Sequence, residues 1–210
     1  MATDWAAWHE AYDDPSSARA ARLRVVQGYV RDVLDSRLVL ECRVLSLCAG
    51  TGLDLLGVLA SHPAKSLVRG RLVELDSGLA ATAREGAKAA GLEHLEVVVA
   101  DAGSTDSYLG AVPADLVLAC GVFGNISDGD VEATVHAMRS VCGDGGTVIW
   151  TRHRRQPDLT PAIRRWFAEA GFVEQGFTTP GLDAFAVGVQ RLAEPPLAFA
   201  AGQQLFTFVR

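Results

Sequence analysis

Five short runs rich in Val, Leu and Ile, at residues 43–48, 70–75, 95–100, 115–120 and 146–151, alternate with helical stretches near 52–61, 77–90, 128–141 and 159–170. The runs are apolar at most positions instead of at every second one, which suits strands buried on both faces of a parallel sheet. A chain that alternates in this way is expected to fold as a doubly wound α/β sheet with right-handed crossovers. Further strand-like runs at 172–178, 184–191 and 204–209 are separated only by Thr179-Pro180-Gly181 and Glu194-Pro195-Pro196. These links are too short for crossover helices, so at least one antiparallel hairpin is expected there. Ahead of the first strand, Trp5, Trp8 and Tyr12 recur at helical spacing and Asp13-Asp14-Pro15 breaks the run. Ser16 or Ser17 then caps a second helix through about Leu38. The expected organisation is a helical lid over residues 1–40 and one compact unit over residues 41–210.

The first strand breaks on Ala49-Gly50-Thr51-Gly52 before the chain turns helical. In an open parallel sheet, ligands sit beyond the carboxyl ends of the strands, at the switch point. Gly50 and Gly52 carry no Cβ, so backbone there can approach a ligand and take positive φ. A Gly-x-Gly alone fits a ligand-free tight turn equally well. Three further features favour a ligand. Glu74 ends the second strand, 22 residues after Gly52, where a carboxylate accepts both hydroxyls of a ribose. Asp101 ends the third strand, where an acceptor meets an adenine amino group, and Asp115 to Asn125 form a fourth strand ending in a small-residue turn. The dinucleotide fingerprint fails, because Leu55 stands where the third glycine is required, and no Gly-Lys-Ser or Gly-Lys-Thr phosphate loop exists. Several acids and few fixed cations near the turn suit a ligand with ribose, adenine and a positive centre.

The partners are bounded by charge. The net charge is −6 and the only lysines are Lys65 and Lys88, which argues against a nucleic-acid partner. Arginines cluster at Arg19-Arg22-Arg24 and Arg152-Arg154-Arg155, leaving room for a small anionic group. No stretch approaches the ~20 apolar residues of a membrane span, and Met1 to Glu10 lack the pattern of a signal peptide. Cys42, Cys48, Cys120 and Cys142 form no C-x-x-C pair and read as reduced core residues of a cytoplasmic protein, with no metal site.

Val44-Leu45-Ser46-Leu47-Cys48-Ala49-Gly50-Thr51-Gly52 resembles the first motif, V-L-D-L-G-C-G-T-G, of the class I S-adenosylmethionine-dependent methyltransferases. Leu72 to Asp76, Ala100-Asp101-Ala102, Asp115 to Asn125 and Gly145-Gly146 are similar to the family's later motifs. The likeness covers most of the chain from about Arg43. The segments SLCAG, CGVFGN and WTRH resemble a group of actinobacterial-type proteins within the family more closely still. The resemblance implies a mostly parallel, seven-stranded Rossmann-like sheet with an antiparallel C-terminal hairpin and an N-terminal helical lid. It also implies S-adenosylmethionine as cofactor and a small-molecule methyl acceptor, in a monomer or homodimer.

By the same resemblance, Gly50 and Gly52, with Ala49 between the motif ends, line the methionine part of the cofactor. Glu74 holds the ribose, Leu75 lies against the adenine, and Asp101 with Ala102 meets the adenine edge. Cys120 and Gly121 offer backbone carbonyls to the ammonium. Two positions depart from the motif: Ser46 replaces its acid and Cys48 its first glycine. Asp54 restores a carboxylate near the ammonium, or serves only the helix start. Tyr12 and Arg22 reach over from the N-terminal helices to the cofactor carboxylate, although a solvated face is expected for Arg22. His153 is a candidate base, or an exposed loop histidine. Asn125 orients substrate or caps a helix. Trp150, Trp166, Phe167 and Phe123 are expected in the core, Phe123 with an alternative place at the methyl site. The altered Ser46 and Cys48 leave open a non-methylating protein on the same fold. A nicotinamide oxidoreductase is disfavoured by Leu55 and by the lack of a Tyr-x-x-x-Lys pair.

Overall fold

The computed structural model describes Asp14, residues 17–179 and residues 185–209. Tyr12 and the first expected helix lie outside the described residues. The order of elements is α1 (Ala18–Asp35), β1 (Cys42–Leu47), α2 (Leu53–Leu59), β2 (Val68–Glu74), α3 (Ser77–Ala89), β3 (Leu95–Val99), β4 (Ala114–Ala119), α4 (Asp128–Val141), β5 (Cys142–His153), α5 (Thr160–Glu169), β6 (Phe172–Thr178) and β7 (Phe185–Leu192). The strands form one seven-stranded sheet in the order β3-β2-β1-β4-β5-β7-β6. β1 to β5 run parallel, and β7 lies antiparallel between β5 and β6. The expected doubly wound sheet and antiparallel hairpin are both present.

Side chains alternating along β1 divide the core in two. Leu45 and Leu47 join one cluster with Val131, Val135, Ile163 and Phe167, from α4 and α5. Val44 joins the other with Val26, Val30, Leu55, Leu59 and Ala83, from α1, α2 and α3. Both sheet faces are therefore covered, which is why the strand runs are apolar without alternation. At the centre of the first layer Trp150 is fully buried, with the rings of Phe123, Phe167 and Phe177 each 6.1 Å away between centroids. A Cβ on Gly188 would lie 2.3 Å from the Trp150 ring, so β7 needs glycine where it crosses the indole.

Local chemistry sets the boundaries. The Ser17 side chain caps α1 by accepting from the Ala20 N–H at 3.0 Å. α1 stops at Asp35 instead of Leu38, and the Ser36 hydroxyl folds back to donate to the Val33 carbonyl at 2.7 Å. β5 begins at Cys142, earlier than the expected 146, because Cys142 pairs with Ala114 ahead of an irregularity between Ala114 and Leu116.

The run at 204–209 is not a strand. It makes only single bridges, Gln204 with Ser104 and Phe208 with Ile126. Its backbone groups go to loops instead. Leu205 N–H donates to the Gly103 carbonyl at 2.7 Å, Thr105 N–H to Gln203 at 2.9 Å, and Val209 N–H to Asn125 at 2.9 Å. The segment is a strap laid across the loops that follow β3 and β4. Among the described residues no helix is long and apolar enough to cross a membrane.

Candidate functional site

A cavity of about 620 Å³ opens at the carboxyl ends of β1 to β4, a size typical of small-molecule sites. The sheet order fixes the sequence of groups along its rim. Asp101 follows β3, Glu74 ends β2, the glycine turn follows β1, and Cys120-Gly121 follow β4. The switch from β2 to β4 across β1 is the topological crevice where ligands collect.

Cys48, Ala49 and Gly50 line the cavity floor. The Ala49 N–H donates to the Val73 carbonyl at 2.9 Å, which continues the sheet into the turn. Cys48 has φ 51 and is the one non-glycine with positive φ among the described residues. A side chain in that region costs roughly 1–2 kcal/mol, so the cysteine occupies a strained glycine-type position. Burial, with the nearby acids Glu74 and Asp101, pushes its thiol well above the usual range. Thr51 also lines the cavity, and its Oγ1 is buried without a hydrogen-bond partner among the described residues. Gly52 and Ser46 do not line the cavity. Gly52, at φ 76, opens α2, and a Cβ there would meet Leu56 at 2.8 Å and Leu72 at 2.9 Å. Ser46 is buried within β1.

Glu74 is 8 % exposed. One carboxylate oxygen accepts from the Gly50 N–H at 2.7 Å, and the other from the Asp76 N–H at 2.8 Å. The Asp76 side chain in turn caps α3 through the Gly78 and Leu79 N–H groups. Each carboxylate oxygen keeps acceptor capacity toward the cavity. Beside it Leu75 presents an apolar surface, 69 % exposed, at the cavity mouth. Asp101 lies at the rim, and its Oδ1 accepts from the Gly103 N–H at 2.7 Å. Ala102, which also lines the cavity, is otherwise buried.

At the β4 side the Gly121 N–H donates to Thr151 Oγ1 at 2.9 Å, and Asn125 Nδ2 donates to the Gly121 carbonyl at 2.6 Å. Asn125 therefore fixes the loop that carries Gly121 and does not itself line the cavity. Gly121 has φ 78, and a Cβ built there meets none of the described residues within 4 Å. Asp54 projects from the first turn of α2 toward Cys120 and Arg22. Burial raises its carboxyl above the ordinary range, while the Arg22 guanidinium and the Cys120 thiol pull it back down.

Arg22 corrects the solvated face expected for it: it is half-buried and lines the cavity beside Asp54. His153 ends β5, close enough that a Cβ on Gly124 would lie 3.4 Å from its ring. It flanks the β4–α4 loop outside the cavity lining. Phe123 is fully buried against Trp150, in the core. The strap supplies residues that no local pattern marked as functional: Phe206, Thr207 and Phe208 all line the cavity.

No protein-family model matches the chain, and no curated protein is similar to it in sequence. Solved structures do match. The magnesium protoporphyrin IX methyltransferase ChlM of Synechocystis PCC 6803, solved with bound SAM, is 13% identical at a TM-score of 0.69, over 91% of this chain and 92% of that one. An O-methyltransferase family protein from Burkholderia thailandensis is 18% identical at a TM-score of 0.62, over 88% of this chain and 59% of that one. The cyclase SpnF is 14% identical at a TM-score of 0.60, over 81% of each chain. The resemblance read from the motifs thus holds at the level of the fold. The cyclase carries the same fold under the name of a different reaction, so chemistry must be argued from the site.

Proposed function

We propose that this chain is an S-adenosylmethionine-dependent methyltransferase acting on a small molecule. The observation that carries the reading is the order of groups along one cavity: an acceptor at Asp101, a buried carboxylate at Glu74, a glycine turn, then the Asp54–Arg22 pair beside Cys120. That order matches adenine, ribose, sulfonium and amino acid in turn. The cavity fits such a group on two further counts. The Thr51 hydroxyl, without a partner among the described residues, and the space at Gly121 both belong to its wall.

In this reading Glu74 accepts from the ribose hydroxyls, Leu75 packs on the base, and Asp101 accepts from its amino group. Asp54 faces the ammonium and Arg22 the carboxylate, so α1, in the segment expected as a lid, contributes directly. When bound, S-adenosylmethionine supplies a methyl group whose C–S bond breaks as an acceptor electron pair forms the new bond. The protein's part is to hold the acceptor in line and keep water out. Asn125 keeps the Gly121 loop in place. The acidic balance and scarcity of lysine favour a small acceptor, and the free cysteines suit a cytoplasmic setting.

Cell extract supplied with the protein and methyl-labelled S-adenosylmethionine is expected to yield a labelled small molecule. Tight binding without label would instead favour the non-methylating reading kept open by Ser46 and Cys48. A pH series adds a finer expectation. Only ionised Asp54 attracts an ammonium, and its carboxyl is raised by burial. Affinity for S-adenosylhomocysteine is therefore full above that raised pKa and falls as pH drops through it, starting at a higher pH than an ordinary carboxylate allows. Asp54→Asn is expected to bind roughly tenfold or more weakly at neutral pH, given about 1.5–3 kcal/mol for a charged hydrogen bond. Its affinity should then be flat across the same pH range. Calorimetry at several pH values checks both.

A further inference from the structure

The strap over residues 203–209 is docked by a set of specific bonds. Besides its backbone bonds to the β3 loop, Gln203 N–H donates to Thr105 Oγ1 at 3.0 Å and Gly202 N–H to Asp106 at 2.8 Å. Leu205 and Phe206 are buried. A Cβ on Gly103 would stand 2.2 Å from the Phe206 carbonyl, so the strap lies directly on that glycine. Within this docked segment Gln204 Nε2 makes two bonds. One goes to the Phe206 carbonyl at 2.7 Å, which holds the amide in a fixed orientation. The other goes to Asp101 Oδ2 at 3.0 Å.

We propose that Gln204 is a positioning residue: it clamps the Asp101 carboxylate so that the carboxylate selects an adenine amino group over a 6-oxo base. The inference rests on the cofactor reading above and deepens it at the nucleoside end. Asp101 Oδ1 is held by the Gly103 N–H and Oδ2 by the Gln204 amide. With both oxygens anchored, rotation of the carboxylate is blocked and its remaining acceptor direction is fixed. A donor at the base edge meets an acceptor already in place, and a carbonyl at the same position meets like-sign oxygen. The Gln204–Asp101 bond is exposed in the absence of ligand. Solvent then competes for it, so its contribution appears in ligand selectivity and not in the stability of the free protein.

The test uses the full chain, with S-adenosylhomocysteine and its deaminated 6-oxo analogue titrated into the parent, Gln204→Ala, Asp101→Ala and the double variant. The parent is expected to prefer the amino ligand by at least tenfold. Gln204→Ala should weaken the amino ligand by about fivefold and leave the 6-oxo ligand unchanged. The double variant should bind no more weakly than Asp101→Ala alone. An unchanged preference in Gln204→Ala, or an equal loss for both ligands, overturns the positioning role while leaving the cofactor reading standing. A parent that binds neither ligand overturns both.

Discussion

Glu74→Ala is expected to weaken S-adenosylhomocysteine binding by a hundredfold or more, and to lower the melting temperature of the free protein by several degrees. Both effects follow from one buried carboxylate with two duties. Toward the cavity, in the proposed reading, it offers acceptors for two ribose hydroxyls, each such bond to a charged group being worth about 1.5–3 kcal/mol. Loss of both, about 3–6 kcal/mol, exceeds the ~2.8 kcal/mol that separates a hundredfold in affinity. Toward the protein it holds the Gly50 and Asp76 N–H groups, and so ties the glycine turn to the start of α3. Alanine leaves both donors to whatever water reaches them, at roughly 1–3 kcal/mol. Glu74→Gln keeps the shape and one acceptor oxygen, and should fall between the two. Calorimetry and thermal melts on the three proteins decide the matter. If the alanine variant binds within threefold of the parent, the ribose assignment fails.

Trp150→Ala should destabilise the fold more than Glu74→Ala does, at about 3–5 kcal/mol for a large buried aromatic. The indole is fully buried, touches three aromatic rings, and fills the space that Gly188 leaves. At this chain length that corresponds to a fall in melting temperature on the order of 10 °C. Trp150→Phe should cost far less. The indole Nε1 is buried without a hydrogen-bond partner among the described residues, so its removal forfeits volume but no bond. The neighbouring Thr151 holds the Gly121 N–H, so the alanine variant should also bind ligand more weakly at temperatures well below its melt. Denaturant unfolding of the three proteins gives the stability order directly.

The sheet is legible in the sequence because its strands are buried on both faces. Runs such as Leu116 to Ala119 carry no polar residue for any orientation to expose, and a parallel sheet covered on both faces accommodates that. Glu74 and Asp101 are legible for a related reason: a carboxylate closing an apolar run marks the strand end at which the rim begins. Arg22 escapes such reasoning because the start of α1 carries three arginines, Arg19, Arg22 and Arg24, and periodicity does not say which of them faces a cavity. The strap escapes it more deeply. Leu205, Phe206 and Phe208 sit among polar residues much as an edge strand would have them, yet the Leu205 N–H goes to Gly103, in a loop about a hundred positions earlier. Local pattern carries no information about such a partner. Cys48 shows the limit from the other side. Its departure from glycine is plain in the sequence, but the strained φ that it nonetheless adopts is a property of the folded turn.

Gln204 reaches Asp101 across 103 positions of chain, and Gln203 reaches Thr105 across 98. Contacts of such separation close late, after local helices and neighbouring strands have formed. A refolding chain should therefore recover its far-ultraviolet signal before it captures a nucleoside ligand, with a measurable lag between the two. Ligand present from the start should slow the return to the unfolded ensemble while leaving the earliest refolding phase untouched.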